Sequence, residues 1–437
     1  MTNILTNIIE TEYPIGFRKK DAQALGSYIR NRHSVEMVGM KRVGISNFLR
    51  FFIYHPGIVD TYIQKGQTHI FIPIDLNDLV EREIYPFWVL TLKRIVDTVE
   101  ISITLDKSVK KAVETIFLDA IQSKDLFLAI DAVRICINKI LEAGLLPTIF
   151  FIRFDRMQNH ATKEFLDNLV GLKDSSHGKL NFVFTTYRRL DHLAPQTFNL
   201  SSLSLSLQRM YLKPAEKKDM EIIVKTYLKN SKLQLTSTVK NAMYELTDGY
   251  VQYTQLLLII LHENHKSIKN KEDFLNLLLL DERIILQSEE LWESLNEIEK
   301  EILVKVSSKE LLTSEDREKG KYLWETGLIK EGKNPQIFST LFEHFINQTA
   351  KKTKPEVPTI EFSKKENKLF NFLKDNLNQI CERESIISAV WPEEEALGVS
   401  DWAIDRLVAR VRSKLKQQNS RHEIITVKTR GYKLITT

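Results

Sequence analysis

Two nearly continuous apolar runs, TIFFIRF (148–154) and LNFVFTT (180–186), carry no regular polar alternation. A strand with one wet face alternates apolar and polar side chains, so runs of this kind belong to strands covered on both faces, as in a parallel sheet. Their surroundings agree. SVEMVG (34–39) and HIFIPIDL (69–76) read as strands and MYLKP (210–214) as a short fifth, while 47–54, 87–100 and 126–143 carry apolar residues at three- and four-residue spacing. Strands alternating with helices predict a doubly wound α/β sheet, whose ligands sit at the carboxyl ends of the strands. The loop after the first strand is therefore the first place to look for a site.

Beyond residue 215 the pattern turns all-helical, interrupted by DGY (248–250). LWESLNEIEKEILVKV (291–306) is an amphipathic helix, and YLWETGLIKEGKNPQIFSTLFEHFI (322–346) reads as a helix and a two-stranded wing, which together have winged-helix proportions. TAKKTKPEVP (349–358) is basic, contains two prolines and has little to bury, the composition of a linker. The expected organisation is an α/β domain over 1–214, a helical lid over 215–285, a winged-helix-like domain over 286–348, a linker over 349–358 and a last domain over 359–437.

Composition excludes several classes. The two cysteines, Cys136 and Cys381, form no CxxC pair, so no disulfide framework or zinc knuckle is expected and no metal ligands are assigned. The first residues lack the basic start and apolar core of a secretory signal, and the most apolar stretch, 256–261, is far short of the roughly 18–20 residues a membrane span needs. The reading is a cytoplasmic protein without a membrane partner. A net charge of +5 over 437 residues decides nothing by itself; where the charge sits does.

It sits at the carboxyl end. There PTIEFS reads as a short strand, 364–376 as a helix with Leu369, Phe370, Phe372 and Leu373 inward, and 383–391 as a helix stopped by Pro392. The acidic loop PEEEALGVS leads to Ser400 as N-cap of a long helix, 401–417, and a hairpin over 422–436 closes the domain. The long helix divides into apolar positions (Trp402, Ile404, Leu407, Val408, Val411, Leu415) and basic ones (Arg406, Arg410, Arg412, Lys414, Lys416). Over 400–437, nine Lys/Arg against three acids leave +6, the footprint of a phosphate-backbone binder. An α-helix fits the major groove, where arginine reads guanine edges in bidentate fashion.

Three motifs in order, CERESIISAVWP, DWAIDRLVARVRSKLK and ITVKTRGYKL, resemble the effector domain of OmpR/PhoB-type response regulators. The resemblance implies that 405–414 lies in the major groove of double-stranded DNA and that Arg430 on the wing reaches the minor groove. Thr429 stands where that family prefers glycine. The DNA-binding residues expected are Arg406, Arg410, Arg412, Lys414, Lys428, Thr429 and Arg430.

The loop after the first strand reads GMKRVGIS (39–46). A phosphate-binding loop wants GxxxxGK[ST], with backbone amides on the phosphates, lysine on the β/γ oxygens and Ser/Thr on magnesium. Gly39, Gly44 and Ser46 are in register, Ile45 replaces the lysine, and Lys41 or Arg42 could partly supply the missing charge. TIFFIRFDRM resembles the magnesium-binding strand of AAA+/STAND ATPases, with Ile152 and Arg153 at the positions of the two acids and Asp155 at a later one. FVFTTYRRL (182–190) is similar to their sensor strand, which implies Thr185 or Thr186 and Arg188 near a nucleotide. TDGYVQYTQLL (247–257) resembles their lid motif, with tyrosine in place of histidine.

From YPIGFRKKDAQAL to residue 346 the order of elements resembles STAND signalling ATPases and, more distantly, archaeal origin-recognition initiators. The fold class implied is a P-loop-type (AAA+/STAND-like) parallel sheet with a helical lid, followed by two winged-helix domains. The ligand implied is ATP or ADP with magnesium, on the degenerate set Gly39, Lys41, Arg42, Gly44, Ser46 and Asp155. Phosphoryl transfer is mostly charge stabilisation, so losing the lysine and the acids should cost orders of magnitude in rate; no catalytic residue is assigned. The expected function is a DNA-binding transcriptional regulator whose STAND-like module senses a ligand or partner or mediates self-association. No receiver pattern precedes the linker, so the usual two-component phosphotransfer is not expected. The alternatives are an active AAA+/STAND nucleotide-dependent switch or replication-initiator-like protein, and a scaffold whose winged helices bind proteins.

Overall fold

The computed structural model describes residues 8–437 other than 80, 200, 204–206, 230, 232, 265–270, 333, 353–361, 392–400, 419, 428–429 and 437. It divides into two compact units, Met1–Ala350 and Lys351–Thr437.

The first unit is built on five strands: β1 (Val35–Val38), β2 (His69–Asp75), β3 (Leu146–Ile152), β4 (Asn181–Thr186) and β5 (Gln208–Tyr211). All pair in parallel, in the order β2-β3-β4-β1-β5. That order, with β1 between β4 and β5, is the arrangement of an AAA+-type P-loop sheet. The apolar runs are explained by what each face buries. Phe150 and Val183 join one core with Phe48, Phe51 and Phe52, while Phe151, Phe182 and Phe184 join a second with Phe87 and Trp88. Each fully buried side chain of this size contributes about 1.5–3 kcal/mol, so both faces must stay covered. Register aligns the strand ends: Val38 lies opposite Thr186, and Asp75 opposite Ile152. The loops that follow these strands therefore emerge on one rim.

Among the described residues six helices of ten residues or more accompany the sheet: α1 (Lys19–Arg30), α2 (Ile45–Tyr54), α3 (Ile84–Ile101), α4 (Lys107–Ser123), α5 (Leu126–Glu142) and α6 (Lys163–Ser175), with two single turns, Leu190–Leu193 and Pro195–Phe198, before β5. Of these, α1, α4 and α6 were not read from the sequence, and α4 is the longest of the three. Its signals are ordinary ones: Asp106 caps it by accepting from the Ser108 and Val109 amides, and Val113 and Ala120 are buried. After β5 come α7 (Lys217–Lys229), α8 (Ser237–Thr247), α9 (Val251–Asn264), α10 (Lys271–Leu280) and α11 (Glu282–Glu293). Then α12 (Glu297–Ser307), α13 (Ser314–Lys319), α14 (Lys321–Glu325) and the hairpin β6 (Ile329–Lys330)–β7 (Gln336–Ile337) lead into α15 (Thr340–Lys352). The wing is thus followed by a full helix, which takes in residues 349–352 of the stretch read as linker; the rest of that stretch lies outside the described residues.

The second unit contains α16 (Lys364–Asp375), β8 (Cys381–Glu382), α17 (Arg383–Val390), α18 (Asp401–Gln417), β9 (His422–Val427) and β10 (Gly431–Thr436). Ser363 starts α16 with a capping box shared with Glu366. Leu369, Leu373, Ile386, Trp391, Ile404, Val408, Val411 and Leu434 form one core. The sheet order is β8-β10-β9. Where β10 meets β8, Gly431 has φ +143° and a Cβ there would fall 2.1 Å from the Cys381 carbonyl oxygen, so no other residue fits. Three helices and a three-stranded sheet make this unit a winged helix. The acidic loop with Ser400 and the residues 358–361 of the expected strand lie outside the described residues. Among the described residues no helix is long and apolar enough to cross a membrane.

Candidate nucleotide site and nucleic-acid interface

The loop 39–44 leaves β1 and delivers the chain into α2. Its glycines answer to packing. A Cβ on Gly39 would lie 2.9 Å from Val43 Cγ1 and 3.0 Å from the Leu212 carbonyl oxygen. Gly44 has φ +110°, and a Cβ there would lie 2.6 Å from Val251 Cγ2 at the start of α9. The isoleucine at the lysine position folds back along the loop, with Ile45 Cδ1 3.2 Å from where a Gly39 Cβ would be. Neither nearby cation extends along the loop in its stead. Lys41 Nζ lies 4.8 Å from the centre of the Tyr187 ring, and Arg42 Nε is 3.3 Å from Glu290 on α11. Tyr250, the lid residue at the histidine position, donates its hydroxyl to the Lys41 carbonyl at 2.6 Å and accepts from Gln287 at 3.1 Å.

The end of β3 carries the main departure from a magnesium site. Arg153 takes a left-handed conformation (φ 61°), which turns the chain out of the sheet. Its amide donates to Thr185 Oγ1 at 2.9 Å. Its guanidinium pairs with Asp75 at the end of β2 and donates to Ser46 Oγ, 3.4 Å away on α2. Magnesium takes oxygen ligands in a tight octahedron. Here the oxygens that could serve, from Asp75 and Ser46, already receive hydrogen bonds from a cation, so the residues present do not fit the metal. Asp155 sits in the turn beyond, within electrostatic reach of Lys41, Arg153 and Arg156. Burial pushes its carboxyl up to about 6, against the pull of those three cations. Among the described residues no three His, Cys, Asp or Glu side chains converge as metal ligands.

Arg188, implied by resemblance to lie at a nucleotide, is instead buried in a junction. Its Nη1 and Nη2 donate to the Glu299 carboxylate of α12 at 2.6 and 2.5 Å, and Nε and Nη2 reach the Ser294 carbonyl at 3.2 and 2.7 Å. The guanidinium lies 4.1 Å over the Tyr322 ring, and Tyr322 donates to the Tyr187 carbonyl at 2.8 Å. Glu299 also accepts from the Asn296 amide at 3.0 Å as part of the cap of α12. These contacts join the strand end, the loop and the following helices.

In the second unit α18 buries Ile404, Leu407, Val408, Val411 and Leu415. Arg412 lies on the flank of that stripe: Nε donates to the Ile424 carbonyl at 2.7 Å, Nη2 to Thr426 Oγ1 at 2.8 Å, and the guanidinium is 5.7 Å from the Tyr432 ring. Lys414, on the opposite flank, pairs at 2.6 Å with the buried Glu366 of α16. Asp405 accepts from Arg383 at 2.5 Å and from the Tyr432 hydroxyl. These charges tie the helix to β9, β10, α16 and α17. The spacing could have revealed this, since Arg412 stands four residues after Val408 and Lys414 seven after Leu407, on the edges of the buried stripe. Arg406 and Arg410 lie away from the centre of that stripe with Ala409, Ser413 and Lys416, the last three exposed. Arg430 is exposed in the turn of the wing, its amide donating to the Val427 carbonyl at 3.1 Å. Lys428 and Thr429 lie outside the described residues.

Residues 357–434 match the family described as "Transcriptional regulatory protein, C terminal". No curated protein matches the chain. Among solved structures, the Aeropyrum pernix ORC2 protein in its ADPNP–ADP complexes is 11% identical, with 79% of this chain and 98% of that one covered at a TM-score of 0.48. A Walker-type ATPase of Pyrococcus abyssi is 15% identical, with 76% and 96% covered and a TM-score of 0.48. The Aeropyrum pernix ORC1 protein in complex with DNA is 9% identical, with 98% and 90% covered and a TM-score of 0.37. The chain joins a module with the strand order of an AAA+-type P-loop sheet to a carboxyl-terminal winged helix that matches this transcriptional-regulatory family.

Proposed function

We propose that this chain is a DNA-binding transcriptional regulator whose AAA+-like module does not hydrolyse nucleotide and instead senses a ligand or partner, or mediates assembly. The observation that carries the DNA-binding part is the division of charge on α18. Arg412 and Lys414 turn their charged ends into the domain and orient the helix, and Arg406, Arg410 and Lys416 stand on its other side, the two arginines half-buried and Lys416 exposed. A basic helix face beside a wing suits the major groove with phosphate contacts at its margins. Arg406 and Arg410 are assigned to base edges and flanking phosphates, and Arg430, with Lys428 and Thr429, to the wing contact. The non-hydrolytic reading of the module is supported by Ile45 at the lysine position and by the Arg153 guanidinium among the oxygens a metal would need.

The test is binding of the full chain to genomic DNA fragments, followed by the variants Arg406→Ala, Arg410→Ala and Arg430→Ala. Each is expected to weaken binding at the site recovered. Absence of affinity for any double-stranded fragment at low salt would remove the proposal. Steady ATP turnover abolished by Asp155→Asn would remove its second half alone.

A further inference from the structure

We infer that Arg153 takes the place of the divalent cation, as a permanent internal counter-charge that ties α2, β2 and β3 together and closes this module to magnesium. The inference deepens the non-hydrolytic reading of the module and rests on it, and it is independent of DNA binding.

Three observations converge. Arg153 occupies the position of an acid in the strand motif, yet its backbone is held as firmly as a ligand's would be: a left-handed turn places it, and the Thr185 hydroxyl fixes its amide at 2.9 Å. From there the guanidinium donates to two oxygens of the kind a divalent ion selects, the Asp75 carboxylate and the Ser46 hydroxyl. The partners come from strand ends and a helix start that the sheet register brings to one rim, Asp75 lying opposite Ile152. Finally, the surroundings carry cations rather than acids. Lys41, Arg153 and Arg156 all act on Asp155, the remaining acid of the motif, so a dication entering there would meet three like charges. A guanidinium offers a planar fork of donors and never loses its charge, and unlike a metal it cannot leave with a product. The three elements that a bound metal would draw together on loading are already drawn together.

The test uses the full chain and two readouts, thermal unfolding with manganese against EDTA and the electron paramagnetic resonance of free Mn2+. Wild type is expected to show no manganese-dependent shift in melting. Arg153→Asp removes the cation and sets a carboxylate beside Asp75 and Ser46; it is expected to bind Mn2+ and to melt higher by about 4 °C when the ion is present at a hundredfold excess over its dissociation constant. Adding Asp75→Asn should abolish that gain. Should Arg153→Asp not fold, Arg153→Gln is expected to melt lower than wild type and Arg153→Lys to recover most of the loss, because the tie needs a cation. Manganese binding by wild type that is lost on Asp75→Asn would overturn the inference, as would an Arg153→Gln variant that melts like wild type. Neither readout involves DNA or hydrolysis, so failure here would leave the DNA-binding reading standing.

Discussion

Replacing Arg188 by alanine tests whether this arginine is a structural tie or a nucleotide sensor. The guanidinium makes four donor contacts, two to Glu299 and two to the Ser294 carbonyl, and covers the face of Tyr322. The side chains are 11% and 2% exposed for Arg188 and Glu299. Removing one partner strands the other, because Glu299 would keep only its capping bond to the Asn296 amide. Breaking a buried pair in this way costs about 3–5 kcal/mol. A unit of 350 residues at roughly 2.1 cal/mol/K per residue has an unfolding entropy of about 0.7 kcal/mol/K. The variant should therefore melt lower by about 4–7 °C in calorimetry, with or without nucleotide. The double variant Arg188→Met/Glu299→Leu should recover most of the loss, since apolar replacement of both partners is often neutral, and the cycle should show strong coupling. A melting point within 1 °C of wild type for Arg188→Ala, or additive losses in the cycle, would refute the structural reading.

Asp155 and Arg412 give two further outcomes. The Asp155 carboxyl is raised to about 6 by burial, so the stability it contributes is complete below its unfolded value near 3.9 and is lost as pH rises through about 6. Asp155→Asn should match wild type in melting at pH 4 and exceed it at pH 8 by about 1–3 kcal/mol; a less stable variant at pH 8 would show that Lys41 and Arg153 hold the carboxylate ionised. Arg412→Ala removes the helix-to-strand bonds to Ile424 and Thr426 and should destabilise the carboxyl-terminal unit by about 1.5–3 kcal/mol, whereas Lys416→Ala, at an exposed position of the same helix, should leave its melting unchanged. Equal melting of the two variants would place Arg412 outside the fold's support.

What was legible in the sequence is what local pattern controls. β3 and β4 were visible in the runs at 148–154 and 180–186 because both faces are buried, and α18 runs over the residues expected, because its stripe of Ile404, Leu407, Val408, Val411 and Leu415 repeats at helical spacing. Two-residue β8 was not visible: Cys381 and Glu382 become a strand only by pairing with Gly431 and Tyr432. The same limit governed the sites. That GMKRVGIS forms the loop into α2 could be read from its glycines, but the destination of the Arg153 guanidinium depends on Asp75, seventy-eight residues away. Arg188 finds Glu299 across one hundred and eleven residues, a meeting that only the folded chain decides. On α18 the composition marked every arginine and lysine alike, and it is their spacing from the apolar stripe that separates Arg412 and Lys414 from Arg406 and Arg410.

Under the proposed function, α18 and its wing bind duplex DNA through charge. The most direct measurement is fluorescence anisotropy of the full chain on its recovered double-stranded site, repeated between roughly 50 and 200 mM salt. Binding should weaken steeply with salt. Arg406→Ala, Arg410→Ala and Arg430→Ala should each lower affinity, and each lost phosphate contact should flatten the logarithmic salt slope by about 1. Affinity indifferent to salt, or the same in all three variants as in wild type, would contradict it.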